Sequence, residues 1–406
     1  MNTKSIDFTQ RNVAIDILRA LTMLLMIFVN DLWTIKGEPA WLGHAESNQD
    51  FLGLADIVFP CFLFVVGMSI PFAIERRFSK GAPGVSTVGH ILMRTFALLV
   101  MGVFIVNTES GVSHDTGFTL ATYRILMVAG FFLVWNVYPT SDKPMKHLYT
   151  ALKVLGVVLL VYLAIVFRDS NGGIFRARWW GILGLIGWTY FICAFIYLFT
   201  RDRLKYLISI WLFFILLCIL KSGMLSGESL WKLPRGNFLD EILNILHIGN
   251  GALPAFTMGG IVLSLVSTKY INAANSKKVI FAVSAVIILL VAGFISHRFW
   301  IVSKIQATPP WIFYCTAAAV GTYAIIYWLV EKGKASWFNI IKPAGTATLT
   351  CYLVPYLTYS ISSLLGIRLP EFLTTGFVGI LNCVVYSFLV IGITYLLGRI
   401  HIKLKI

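Results

Sequence analysis

Twelve apolar stretches, each long enough to cross a lipid bilayer, occupy most of this 406-residue chain. They run approximately over 13–33, 54–74, 88–107, 119–138, 148–167, 181–200, 204–220, 251–268, 278–297, 311–330, 345–365 and 374–397, the seventh and eighth being short. A hydrocarbon core of about 30 Å needs about 20 apolar residues per helix, because lipid offers no partner to a free backbone N–H or C=O. Charged residues make up 13% of the chain, against roughly 25% in a soluble domain. So many helices that are apolar all round cannot be the core of a soluble protein. No period-two alternation recurs, which excludes a β-barrel. The expected fold is an all-α, polytopic integral membrane bundle of about 12 transmembrane helices, forming one domain over 1–406.

The net charge of +15 would suit a nucleic-acid binder if it were clustered. Instead it alternates with the loops. With both termini cytoplasmic, more than half of the Lys and Arg fall on the inner side, including Lys4, Arg11, Arg76, Arg77, Lys143, Lys332, Lys342 and Arg399. That is the positive-inside bias of a membrane protein, and no nucleic-acid partner is expected. The outer loop 168–180, with Arg168, Arg176 and Arg178, runs against the bias. The first span carries Asp16 and Arg19 and is followed by no small-residue cleavage site, so it is expected to stay as a helix. All six cysteines fall within spans and read as small core residues. No CxxC or Cys/His ligand spacing occurs, and no metal is expected.

Two outer segments are longer than the rest, 34–53 and 221–250. The second contains FLDEILNILHIGNG, whose Leu/Ile spacing suits a short helix lying at the interface. Trp at span ends, such as Trp33, Trp41, Trp179 and Trp311, suits an interfacial belt.

An ionisable side chain at the bilayer centre costs at least about 2.5–3.5 kcal/mol, so each needs a partner or a purpose. Asp16 and Arg19, at i and i+3, can pair with each other. Lys153 can snorkel to the inner surface. Arg94 and Arg124 have no nearby acid in sequence and should face the interior, holding either a carboxylate such as Asp56 or an anionic ligand. Of the histidines, His44, His114, His247 and His297 fall on the outer side. A neutral imidazole is the usual general base at physiological pH. A lone loop histidine is more often merely solvated, but His44 has company: Asn30 closes the preceding span and Asp56 opens the next. An amide and a carboxylate at that depth could orient the ring and stabilise developing charge.

These residues also carry a resemblance. RNVAIDILRALTMLLMIFVN, a short loop holding His44, and LADIVFPCFLFVVGMSI together resemble the heparan-α-glucosaminide N-acetyltransferase family of transmembrane acyltransferases, in particular a bacterial branch grouped under a domain of unknown function. TYRILMVAGFFLV is similar to the family's arginine-containing span. WWGILGLIGW, LHIGNGALPAFTMGG and the stretch from TPPWIFYC to IIKPAGTATLTCYLVPY look like the bacterial branch. The likeness is most specific over 11–70 and looser over 245–397, with extra spans around 148–220. The family's luminal N-terminal domain is not expected here, and the glycine run before its histidine has no counterpart in the loop holding His44.

The resemblance implies transfer of an acetyl group from cytoplasmic acetyl-CoA, a co-substrate, to an amino sugar or glycan on the outer side of a bacterial inner membrane. It puts the catalytic histidine at His44, as general base or acyl carrier, and the span-terminal asparagine, an oxyanion donor, at Asn30. Asp56 would orient His44 or the acceptor. Arg124 and Arg94, with Asn250 and Lys342, are the candidate contacts for acetyl-CoA. A homodimer is possible. The alternative is a secondary transporter for a sugar or amino sugar, with WWGILGLIGW or GNGALPAFTMGG forming broken helices around a midplane site. Asp16 and Asp56 lie near helix ends, however, which leaves few groups for such a site.

Overall fold

The computed structural model describes residues 12–139, 143–201, 203–231, 236–269 and 275–406. Lys4 and Arg11, part of the expected inner charge, lie outside them, as do the side chains of His114 and Lys143. Fourteen α-helices and no strands occur among the described residues. They are α1 (Val13–Asp31), α2 (Leu54–Ser79), α3 (Gly84–Glu109), α4 (Leu120–Trp135), α5 (Lys143–Val166), α6 (Gly181–Thr200) and α7 (Leu204–Lys221), then α8 (Phe238–Ile245), α9 (Ala252–Lys269), α10 (Asn275–Ser296), α11 (Pro309–Glu331), α12 (Phe338–Thr346), α13 (Thr348–Leu364) and α14 (Gly376–Arg399).

Each of the twelve expected windows coincides with a helix, and among the described residues ten helices are long and apolar enough to span a bilayer. The other two, α4 and α13, have 16 and 17 residues. The window 345–365 begins late because the chain breaks between α12 and α13 at Ala347, whose φ of −129° and ψ of 45° are not helical. The interfacial segment forms the short helix α8, capped by Asn237, whose side chain accepts from Asp240 N at 3.0 Å. In α5 and α10 only 17% of the apolar window is buried. Rows of exposed Ile, Val and Phe such as Val158, Ile165, Ile288 and Phe294 are stable against lipid and not against water. The protein is a polytopic helical membrane protein.

Two compact units make up the chain. The first comprises the described residues of Met1–Thr22, Pro39–Thr95 and Trp188–Asn339. Its centre is the pair α2 and α9, with α7 and α11 packed on them. Small residues let these backbones approach closely: a Cβ on Gly67 would overlap the Thr257 carbonyl, and one on Gly260 would overlap the Phe64 carbonyl. Close packing of this kind replaces the hydrophobic drive that lipid removes. Gly67→Ala is therefore expected to lower the thermal midpoint of the purified protein, since overpacking costs roughly 1–3 kcal/mol. Gly392→Ala, in α14 with open space around it, is the control. Equal midpoints for the two would contradict the packing described. Asp16 and Arg19 pair at 3.1 Å as their spacing suggests, and Arg19 also donates to Ser69 Oγ at 2.6 Å.

The second unit comprises Met23–Glu38, Phe96–Gly187 and the described residues of Ile340–Ile406. Here α4 packs on α5 and α13, and α13 on α14. The 168–180 loop that breaks the charge bias is tied down internally. Arg178 pairs with the buried Asp169 at 2.5 Å, and Asn107 Nδ2 donates to the Arg176 carbonyl at 2.7 Å.

Candidate active site

In the first unit the part of the α1–α2 loop from Pro39 onward is fastened to the N-terminus of α2. The first amides of a helix lack intrahelical partners, and here the loop supplies them: Leu54 N donates to Trp41 O at 2.7 Å and Ala55 N to Leu42 O at 3.2 Å. Gly53, the N-cap, is pressed so closely on the Gly43 carbonyl that a Cβ would collide with it. Asp56 stands at the third helical position and closes the arrangement. Its Oδ2 accepts from Ala45 N at 3.0 Å and from Gly53 N at 3.3 Å. A carboxylate is also favoured there by the helix dipole.

The ADIVFP segment fixes Asp56 from the other side. Pro60 has no N–H and so leaves the Asp56 carbonyl, four residues back, without its helical donor. The buried Trp311 indole fills that role, donating Nε1–H to Asp56 O at 3.0 Å. Pinned at both ends, the Asp56 side chain is only 2% exposed and faces His44, whose Nδ1 lies 2.7 Å from Oδ1. The imidazole itself is 51% exposed.

A third group joins them. Lys304, from the segment between α10 and α11, puts its Nζ 3.3 Å from His44 Nδ1 and 3.9 Å from Asp56 Oδ1. Burial pushes its ammonium below the ordinary lysine range, and the charge of Asp56 opposes that. An ionised carboxylate has only acceptors, so Asp56 assigns the Nδ1 proton to the 2.7 Å His44–Asp56 bond and leaves Nε2 as the free basic nitrogen. The Lys304 segment is held against the same loop by Asp50, which meets His297 Nε2 at 2.8 Å and accepts from Val302 N at 2.7 Å.

In the second unit, Asn30 and Arg124 line a cavity of about 390 Å³ together with Trp33, Glu109, Tyr356 and Tyr359. Arg124 makes two long bonds, from Nε to Thr108 Oγ1 and from Nη2 to Thr108 O, both at 3.4 Å. Trp33, which is 73% exposed, meets Tyr359 edge to face at 5.6 Å. Tyr359 in turn donates to Asp31 Oδ1 at 2.6 Å.

The remaining expected residues lie elsewhere. Arg94 does not hold Asp56, whose basic partners among the described residues are His44 and Lys304. It lies over the Tyr190 ring at 4.4 Å, a cation–π contact that shelters a cation in an apolar span. The Asn250 amide is committed to structure: Nδ2 donates to Ala307 O at 2.8 Å and Ser222 Oγ at 3.1 Å, and Oδ1 accepts from Ala252 N at 3.2 Å. Both amide hydrogens have protein acceptors. Lys342 is an exposed residue of α12. All six cysteines are free, five of them buried.

Sequence reasoning missed Lys304, Asp31 and Glu109. Asp31 lies inside the first window beside Asn30 and could have been counted with the other intramembrane acids. Lys304 is an outer-loop cation that defies the charge bias, four residues before Thr308, where TPPWIFYC begins.

Residues 11–230 match the family described as Domain of unknown function (DUF5009). The chain belongs to that family. Among proteins similar to this DUF5009 chain is the heparan-alpha-glucosaminide N-acetyltransferase of Mus musculus, 31% identical over 140 residues, which is 31% of this chain and 20% of the mouse protein. The Homo sapiens protein of the same name is 35% identical over 95 residues, 23% of this chain and 13% of the human protein. The matched stretch thus spans a fifth or less of the length of these curated relatives.

Proposed function

We propose that this protein is a membrane-embedded acyltransferase that moves an acetyl group from acetyl-CoA to the amine or hydroxyl of an amino sugar or glycan. The observation that carries the reading is the 2.7 Å bond between His44 and Asp56, on a chain whose relatives are named as N-acetyltransferases. A carboxylate on Nδ1 fixes the tautomer in which Nε2 is basic, the logic by which an Asp–His pair serves acyl transfer. In the proposed step His44 Nε2 takes the proton of the acceptor as its nitrogen or oxygen attacks the acetyl carbonyl. The thioester C–S bond then breaks, and the imidazolium returns the proton to the departing sulfur. Transient acylation of Nε2 itself is the two-step variant of the same chemistry.

The second unit's cavity, taken by itself, has the composition of a sugar subsite. Pockets of about 300–1,000 Å³ with aromatic walls and a few polar groups are the usual small-molecule sites. Trp33 and Tyr359 offer faces for a pyranose ring, while Asn30, Glu109 and Arg124 offer partners for hydroxyl and ammonium groups. Alternation of the spans puts Arg124 near the outer end of α4, which suits an acceptor better than the phosphates of CoA. Exposed Lys342, on the inner side in the same alternation, suits the phosphates. Trp33→Ala is expected to raise the acceptor KM about three- to tenfold, the worth of one aromatic contact, with the KM for acetyl-CoA unchanged. An unchanged acceptor KM would remove the cavity from the reading. We place the protein in a bacterial cytoplasmic membrane.

A screen tests the function as a whole. Purified protein is incubated with acetyl-labelled CoA and a panel of amino sugars and cell-wall glycans, with product followed by mass spectrometry. Acetylated product that depends on His44 is expected. Gradient-driven sugar uptake into vesicles without any acetyl transfer would favour a transporter instead.

A further inference from the structure

We infer that Lys304 is a positioning residue that keeps the His44 imidazole neutral by holding a second positive charge beside the same carboxylate. The inference rests on the reading of His44 as the reacting base. In an isolated His–Asp pair the carboxylate favours the imidazolium, since an opposite charge within about 4–6 Å stabilises the charged form. A base that is already protonated cannot accept a proton. Here Asp56 does not serve His44 alone. Lys304 Nζ lies 3.9 Å from the carboxylate oxygen that accepts from His44, and 3.3 Å from Nδ1 itself. Both nitrogens are donors when Nδ1 carries its proton, so the short approach is not a hydrogen bond between them. It is a cation held against the ring edge, and it would repel a second positive charge there.

The geometry is built and not incidental. The Lys304 side chain is 22% exposed and Asp56 is 2% exposed, so solvent screens this pair far less than a surface pair. The other titratable groups facing the cluster are few. Cys315 lies behind Asp56, its Sγ 3.9 Å from the Asp56 carbonyl oxygen, and Cys61 adjoins Cys315. Asp50 is occupied by His297, and Glu46 is exposed on the loop. Within the cluster the Asp56 and Lys304 charges cancel. His44 is left as a neutral ring with an oriented proton, which is the state a general base or acyl acceptor requires.

The test reads the protonation of His44 directly, on the full-length protein in detergent. Diethyl pyrocarbonate modifies the neutral imidazole, and peptide mass spectrometry resolves modification at His44 from that at the other histidines. Its rate is followed against pH for wild type, Lys304→Gln, Lys304→Met and Lys304→Arg. Neutralising the lysine is expected to raise the midpoint by about one pH unit or more, while Lys304→Arg stays near wild type. The acid limb of kcat should move upward with the midpoint in the Gln and Met variants. Two neutral variants of different polarity guard against one failing to fold. A midpoint unchanged or lowered in a folded neutral variant overturns the inference. If transfer is present and the midpoint does not move, only the role of Lys304 fails. If the midpoint rises but wild type transfers no acetyl group to any acceptor, Lys304 acts as described and the acyltransferase reading fails.

Discussion

His44→Ala is expected to lower kcat for acetyl transfer by at least about 10³-fold while leaving the protein folded. Positioned general bases contribute typically 10²–10⁴-fold, and an acyl carrier would contribute more. The structural cost should be small because half of the ring already faces outward. Asp56 keeps its bonds from Ala45 N and Gly53 N and its charge partner Lys304 when the imidazole is gone. A thermal midpoint near wild type, with acetyl-CoA binding intact, would therefore accompany the loss. His44→Gln keeps a donor for Asp56 and should be equally inactive. Substantial turnover by either variant would remove His44 from the chemistry.

Asp56→Asn is expected to damage both activity and stability, and the two effects can be separated. An amide at this position can donate to Nδ1, which turns the ring to the tautomer with its proton on Nε2. In the Ser–His–Asp enzymes the same exchange costs about 10⁴-fold in kcat, and a comparable loss is expected here. Stability falls because a mostly buried Lys304 loses its counter-charge, a cost of roughly 1–3 kcal/mol, while the two backbone donors, which share Oδ2, keep the amide oxygen as acceptor. Adding Lys304→Met to Asp56→Asn should recover part of the thermal midpoint and none of the activity. Strictly additive losses in that double variant would show that the two side chains do not form one electrostatic unit.

The membrane architecture was legible because its cause is local. A bilayer demands about 20 apolar residues in a row whatever the rest of the chain does, so each expected window holds a helix. Breaks inside the apolar runs were less visible. The separation of α12 from α13 at Ala347 occurs within IIKPAGTATLTCY, where Pro343 and Gly345 weaken the helix without fixing where it stops. The pair His44 and Asp56 was legible for a similar reason. They lie 12 residues apart, and a helix N-terminus between them limits where the loop can go. The partners that complete the cluster were not. Lys304 and Trp311 reach it across 260 and 255 residues of sequence, and only tertiary packing brings them there. Arg94 was legible only as a cation in need of a partner: Asp56, the carboxylate suggested for it, is held by His44 and Lys304, and the Tyr190 face lies against its guanidinium.

Vectorial transfer tests the central claim most directly. The protein is reconstituted in sealed vesicles with labelled acetyl-CoA confined to the side bearing the Lys- and Arg-rich loops and an amino-sugar acceptor confined to the other. The account predicts labelled, acetylated sugar on the acceptor side, lost in His44→Ala vesicles and absent when acetyl-CoA is supplied only from the sugar's side. Product that forms equally with His44→Ala, or only when both substrates share one compartment, would contradict it.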